Sequence, residues 1–424
     1  MQTSLEGIAK RAKEDKSCKF QSLTREITYA LQINCFEDMN RKSAVGVDEV
    51  DYNEYKVNLI PNIRSLLDRV RNGSYHATIV RRHYIPKGNG KVRPLGIPTT
   101  EDKLLQRAVR TILEAIYEQA FLPSSLGYRP KRSARDATDE LQRKQNFGGF
   151  NWVVEADIKG FFDNINHEKL LNMLRMRIDD ENFIGLIQKW LRTGVLETDG
   201  KVLDSLTGTP QGGVISPMFA NIYMHYVLNE WYDKVMRKHY KGNAYLCVYA
   251  DDFVCAFEYE EDARKFYGVL PKRLEKYDLE IAPEKTKLIK FSRKECAASE
   301  TFDFLSLEFR WAKSKLKNTY YVLRRSAKKR FMRAIENVDK WIKDNRSTLI
   351  TTLIKSLNRK LIGYYNYFGV PGNYECLKKY VYIVRLQLYK WLGRRCQRSG
   401  YTWKTFNHLL KVLPLAKPKI NYNQ

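Results

Sequence analysis

No apolar run in this chain approaches the roughly 20 residues that a membrane span requires, and the N-terminus carries no signal-peptide pattern. The seven cysteines, Cys18, Cys35, Cys247, Cys255, Cys296, Cys376 and Cys396, are scattered with no C-x-x-C pair, which argues against both a zinc site and a disulfide framework. Internal repeats and low-complexity tracts are absent as well. Acidic residues are the other shortage. The chain has 48 Asp and Glu against 74 Lys and Arg, and its net charge of +26 points to a polyanionic partner. The deficit is local: from Trp311 onward 26 Lys and Arg face only 4 Asp and Glu, an excess of +22. Binding through that part should weaken steeply as salt rises. These absences predict a cytoplasmic protein working beside nucleic acid, in the nucleoid or in a ribonucleoprotein. At 424 residues the chain can bury a large core, divided over two or three domains.

What is present is concentrated in a few short segments. Tyr249-Ala250-Asp251-Asp252 stands between two runs of apolar, aromatic and β-branched residues, Ala244 to Val248 and Phe253 to Phe257, a pattern that predicts strand, turn and strand. Two carboxylates between buried strands are costly unless a cation neutralises them, although Asp also serves simply as a turn former. Upstream, Asn151 to Asp163 reads as another apolar strand that ends on Asp157, which could face Asp251 across a sheet or cap the helix that follows. Hard oxygen ligands of this kind favour Mg²⁺, then Mn²⁺, and a pair of such ions suits an in-line phosphoryl displacement. Lys87 and Arg93 flank Gly88-Asn89-Gly90, so a hairpin would gather two cations suited to a triphosphate; a solvated basic hairpin has the same composition. Gln211, followed by Gly212 and Gly213, allows close backbone approach to a ligand, as does a plain Gly-Gly turn.

The middle of the chain alternates strand and helix patterns, including a helical stretch over Glu261 to Tyr277. After Phe309 the pattern turns helical, with helices expected over Ser326 to Asn345, Thr348 to Phe368 and Glu375 to Arg395. The second of these interleaves Arg359 and Lys360 with Tyr364, Tyr365, Tyr367 and Phe368, a mixture that suits RNA by charge and stacking and equally suits a packed helical core. Arg324, Arg325, Lys328, Lys329, Arg330 and Arg333 read as a basic helix start able to follow a phosphate backbone.

Taken together, Ile85 to Pro98, Gly127 to Ser133, Asp157 to Asp163, Gly208 to Pro217, Tyr249 to Asp252 and Lys285-Thr286-Lys287 resemble the blocks of reverse transcriptases and fall in that family's order, and the helix Leu357 to Phe368 is similar to the maturase signature of group II intron proteins. The resemblance implies an α+β right-hand polymerase with an α-helical thumb. Its parts would be an N-terminal extension of the fingers over 1–75, fingers and palm over 76–310, and a thumb or maturase domain over 311–424. It further implies an RNA-directed DNA polymerase that acts on an RNA template, a primer and deoxynucleoside triphosphates and that binds its parent group II intron RNA in splicing and retrohoming. Asp157, Asp251 and Asp252 would be catalytic, holding two Mg²⁺ with Ile158 in the metal set. Lys87, Arg93, Phe162, Gln211, Gly212 and Lys285 would meet the nucleotide, with Phe162 as a steric gate against a ribose 2′-hydroxyl unless it is a core ring. Lys285 would stand near the leaving pyrophosphate. Nucleic acid would contact Arg129, Lys131, Arg132, Arg324, Arg325, Lys328, Lys329, Arg330, Arg359, Lys360, Tyr364, Arg394 and Arg395. Two departures stand out. Ser306, beside the primer-gripping hairpin, occupies a position where the family usually has Gly, and the chain stops soon after Arg395, so no endonuclease domain is expected. A free-standing relative serving DNA repair, phage defence or spacer acquisition, and an RNA-binding splicing factor with an idle polymerase site, are the other readings. Oligomeric state, a dimer included, is open.

Overall fold

The structure is a computed structural model that describes residues 3–88, 91–203, 207–209, 212–295, 299–314, 319–395 and 400–421. Its strands, in chain order, are Val80–Gly88 (β1), Lys91–Ile97 (β2), Trp152–Asp157 (β3), Val195–Leu196 (β4), Val202–Leu203 (β5), Ala244–Tyr249 (β6), Asp252–Phe257 (β7), Lys287–Lys290 (β8), Phe302–Phe304 (β9), Leu307–Lys313 (β10) and Tyr320–Ser326 (β11). They form three sheets, ordered β2-β1-β4-β5, β6-β7-β3-β8 and β11-β10-β9. The fold is mixed α+β with largely antiparallel sheets, followed by a helical C-terminal region.

The central sheet is buried on both faces, which explains why its strands read as almost unbroken apolar runs. On one face Val154, Ala156, Val248, Phe253, Cys255 and Phe257 join the main core, built from the N-terminal helices and from the helices Thr100–Tyr117, His167–Arg175, Glu181–Arg192 and Ser216–Met224. On the other, Val153, Cys247, Val254, Ala256 and Ile289 pack with Phe302, Phe309, Trp311 and Val322 of the third sheet. Residues before 75 belong to the same main core, with Phe20, Leu23, Ile63 and Tyr75 all buried in it.

Three C-terminal helices stand within two residues of expectation: Lys328–Asn345, Ile350–Phe368 and Tyr374–Gly393. Leu353, Leu357, Leu361 and Tyr364 line one face of the second, and Leu377, Tyr380, Val384 and Leu388 one face of the third, both at the spacing of a helix stripe. A shorter helix, Trp403–Val412, completes the bundle through Phe406.

The stretch just after Phe309 differs from expectation. It is not helical; β10 continues to Lys313 and pairs with β11. The expected boundary at Trp311 therefore falls inside a strand, where Trp311 pairs with Val322 of β11. Leu307, Phe309 and Trp311 alternate inward as a half-buried strand requires, but the matching inward position on β11 is taken by Arg324, and a charge there hides the alternation. No helix among the described residues is long and apolar enough to cross a membrane.

Candidate active site

The three aspartates converge at one end of the central sheet. β3 lies antiparallel to β7, and the register sets Asp157 directly opposite Asp252. The partner across the sheet is thus Asp252; Asp251 sits in the turn, which Ala250 makes possible with a left-handed φ of +59°. Asp157 caps no helix, because the short 3₁₀ turn Phe161–Asp163 begins after Gly160. A neighbouring segment holds the catalytic turn in place. Leu126 donates its N–H to the Val248 carbonyl at 2.9 Å, and Val248 donates to the Ser124 carbonyl at 2.9 Å. This brings Gly127 against the turn so tightly that a Cβ there would lie 2.3 Å from the Ala250 nitrogen.

Crowding three carboxylates has an electrostatic cost. Burial raises the pKa of Asp251 above the ordinary carboxylate range, and the charge on Asp157 adds to it. For Asp252, partial removal from water, a hydrogen bond with Asp157 and the charges of Asp251 and Asp157 push the value up to about 7. One cation already answers this demand: the Lys285 ammonium is ion-paired with the Asp157 carboxylate. That contact raises the Lys285 pKa, against the opposing effect of its own burial. Among the described residues no three His, Cys, Asp or Glu side chains form a ready metal cage. The trio nevertheless fits a hard cation by its chemistry, since all its donors are carboxylate oxygens that repel one another until positive charge arrives.

Other expected residues fall around this point. β1 and β2 form the anticipated hairpin, with Arg93 exposed and opposite Ile85. Arg93 stands close enough to Asp251 to oppose the rise in its pKa. Lys87 belongs to β1, but its side chain, like Gln211, lies outside the described residues. Of the two adjacent rings, Phe161 is buried in the core, whereas Phe162 is half-buried and meets Tyr128 edge-on at 6.3 Å. Gly208, at φ +85°, comes close to the Phe162 carbonyl, where a Cβ would be 2.9 Å away. Gly212, at φ +110°, packs on β2, where a Cβ would be 2.8 Å from the Gly96 oxygen. Both glycines thus tie the Gly208 to Pro217 segment to its neighbours. Lys287 and Lys290, the competitors of Lys285, instead pair with Glu155 in strand register and with Glu295.

The thirteen residues expected to meet nucleic acid divide. Three are corrections. Arg129 has a side chain only 7% exposed, ion-paired with Glu118 and bonded to the carbonyls of Leu122 and Ser125. Arg324 is 1% exposed; its guanidinium is paired with Asp139 and donates to the Thr138 hydroxyl. Tyr364 is buried and stacks on Tyr380 at 3.9 Å. Each side chain is spent on the interior. Lys131, Arg132, Lys328, Lys329, Arg330, Arg359, Lys360 and Arg394 are exposed. Lys360 lies over the Trp341 ring at 4.9 Å and Arg394 over Trp391 at 5.4 Å. Arg325, on β11 and not on a helix, is half-buried beside Glu308, and Arg395 donates to the Ser347 carbonyl.

The sequence reading also missed residues. Tyr128, at φ +56°, is exposed at the mouth of the site, where Asp251, Tyr249 and Arg93 lie within electrostatic reach of its hydroxyl. Its proximity to Gly127 and its place between turn-forming residues were the available signal.

An antiparallel sheet covered on both faces with clustered carboxylates at one end, a hairpin whose Arg93 is within electrostatic reach of them, and a helical bundle after them are the parts of a right-hand polymerase. The family model for the reverse transcriptase (RNA-dependent DNA polymerase) matches residues 85–309, and that for the group II intron maturase-specific domain matches residues 328–409. Group II intron-encoded protein LtrA of Lactococcus lactis subsp. cremoris is 40% identical over 229 residues, covering 52% of this chain and 37% of LtrA. Protein YkfC of Escherichia coli (strain K12) is 35% identical over 244 residues, covering 56% of this chain and 63% of YkfC. An uncharacterized 91 kDa protein in the cob intron of Schizosaccharomyces pombe is 40% identical over 181 residues, 42% of this chain and 22% of that protein. The alignments span about a third of LtrA and under two thirds of YkfC. The chain belongs to the reverse transcriptase family and carries a group II intron maturase-specific domain. A reverse transcriptase domain implies dependence on a divalent metal.

Proposed function

We propose that this protein extends a primer on an RNA template with deoxynucleotides, joining the primer 3′-oxygen to the α-phosphorus of the incoming nucleotide and releasing pyrophosphate. The observation that carries the reading is the meeting of Asp157, Asp251 and Asp252 at one sheet end, with Arg93 of the basic hairpin within electrostatic reach of Asp251. The trio, with Ile158 alongside, would hold two Mg²⁺, which supply Lewis acidity toward the attacking and leaving oxygens. Arg93 offers a bidentate fork to the triphosphate, and Lys87 on the same hairpin a point charge. Phe162 is half-buried and braced edge-on by Phe161 at 5.6 Å; its ring would stand under the incoming sugar and so disfavour a 2′-hydroxyl. Gly212, packed on β2, and its neighbour Gln211 would meet the nucleotide as the family resemblance implies. Lys285, once relieved of its pairing with Asp157, has a proton to give the departing pyrophosphate.

The helical bundle serves a second role, the binding of the parent group II intron RNA. Support comes from the maturase-specific domain, from the intron-encoded relatives and from the exposed cations Lys328, Lys329, Arg330, Arg359, Lys360 and Arg394. Lys131, Arg132, Arg325 and Arg395 extend the cationic surface. Sequencing of RNA crosslinked to the protein in its own cells tests this role. One dominant RNA that folds as a group II intron, crosslinked through the bundle, is the expected result. A broad, non-intron population would replace it with a free-standing polymerase.

A further inference from the structure

Between the catalytic sheet and the helical bundle lies a turn whose backbone is unusual. Leu305 and Ser306, which connect β9 to β10, have φ of +48° and +66°, the left-handed region that costs any residue with a Cβ. Such a turn persists only where its surroundings hold it. The Ala327 N–H donates to the Ser306 carbonyl at 3.0 Å. From the bundle, the Tyr367 hydroxyl donates to the Leu305 carbonyl at 2.9 Å and is within hydrogen-bonding reach of Ser306. Tyr367 is 44% exposed, so its ring is not placed there by core packing alone.

The position of the turn gives the bond its meaning. Leu305, Tyr249 and Phe368 pack against one apolar cluster, which joins the turn, the catalytic hairpin and the end of the helix Ile350–Phe368. Tyr249, Asp252 and Arg330 all lie within electrostatic reach of the Tyr367 hydroxyl. Because the Tyr367 hydroxyl is within electrostatic reach of both Asp252 and the bundle cation Arg330, a primer running from the carboxylates to the basic bundle would pass close to this turn. We infer that Tyr367 is a positioning residue: its hydroxyl holds the Leu305–Ser306 turn, and with it the primer strand, in register with the catalytic carboxylates. The inference rests on the polymerase reading and adds to it a connection between bundle and catalytic sheet through one hydrogen bond.

The test is steady-state primer extension with the full chain. Tyr367→Phe, which removes only the hydroxyl, lowers kcat/KM for primer–template roughly five- to tenfold, while KM for the deoxynucleotide and the melting temperature stay at wild-type values. Ser306→Gly, introduced into Tyr367→Phe, relieves the backbone cost that the lost bond had held in check and restores kcat/KM to within about twofold. A Tyr367→Phe enzyme indistinguishable from wild type overturns the inference, and so does equal loss toward both substrates with a lowered melting temperature. Failure of the double variant to recover overturns it too. A wild-type chain without any extension activity would instead remove the polymerase reading, and this inference with it.

Discussion

Gly127→Ala is the substitution whose consequence follows most directly from distances. The added Cβ would lie 2.3 Å from the Ala250 nitrogen, 2.9 Å from the Tyr249 carbonyl carbon and 3.2 Å from the Ala250 Cα. Ordinary contact needs about 3.5 Å, so one backbone has to move by about 1 Å. The segment carrying residue 127 has little freedom to do so: Leu126 and Ser124 are bonded to Val248, and the Asn221 side-chain amide donates to the Gly127 carbonyl at 2.8 Å. The displacement therefore passes to Ala250, already at φ +59° and next to Asp251. A misplacement of about 1 Å in a reacting group costs on the order of 100-fold in rate, and forced overpacking costs about 1–3 kcal/mol of stability. Single-turnover extension of a DNA primer on RNA should show that loss in rate, and urea unfolding the loss in stability. Gly185→Ala is the control, since nothing lies within 4 Å of its Cβ and it falls within the helix Glu181–Arg192; it should gain about 0.5–1 kcal/mol and keep full activity. A Gly127→Ala enzyme within about twofold of wild type would refute the idea that this close approach fixes the catalytic turn.

Arg324→Met breaks a buried ion pair with Asp139 and should cost about 2–3 kcal/mol in urea unfolding while leaving the salt dependence of RNA binding unchanged; a change in the salt slope would return Arg324 to the RNA surface. Arg359→Ala, on the exposed face, should do the reverse, reducing that slope by about 0.7 with no loss of stability. Burial lowers the pKa of His225 to about 4, outweighing the attraction of Glu230. The unfolded chain takes up this proton near pH 6.5 and the folded chain only near 4, so the stability held above pH 6.5 falls by about 3 kcal/mol on the way down to 4. His225→Gln should flatten that part of a pH–stability curve, and an unaltered curve would contradict the assignment. Phe162→Ala should narrow discrimination between deoxy- and ribonucleotides by roughly 10- to 100-fold in competing extension assays, and unchanged discrimination would make the ring a core residue.

The parts of the molecule that were legible in the sequence share a local cause. β3, β6 and β7 are covered on both faces, so their apolar runs needed no partner to be recognised, and the turn carrying Asp251 and Asp252 was fixed by its flanks. The bundle helices were legible because Leu353, Leu357 and Leu361 repeat at helical spacing. What escaped depended on distant partners. Arg324 looks like a surface cation until Asp139, far away in sequence, is seen to neutralise it, and with Arg324 misread β11 disappears into a basic helix start. Arg129 is satisfied by Glu118, and Tyr364 by the stacked ring of Tyr380 on another helix. Periodicity carries no record of such pairings. The one-residue choice between Asp251 and Asp252 as the partner across from Asp157 was likewise a matter of strand register, which only the paired backbones define.

The central claim is that the three clustered carboxylates perform nucleotidyl transfer. Its most direct measurement is primer extension on an RNA template, with Mg²⁺ supplied, by wild type and by Asp251→Asn, which keeps the size of the side chain and removes its charge. Template-dependent addition of deoxynucleotides by the wild type, reduced at least about 1,000-fold in the variant and abolished by a chelator, is the predicted result. Equal extension by both proteins would contradict the account.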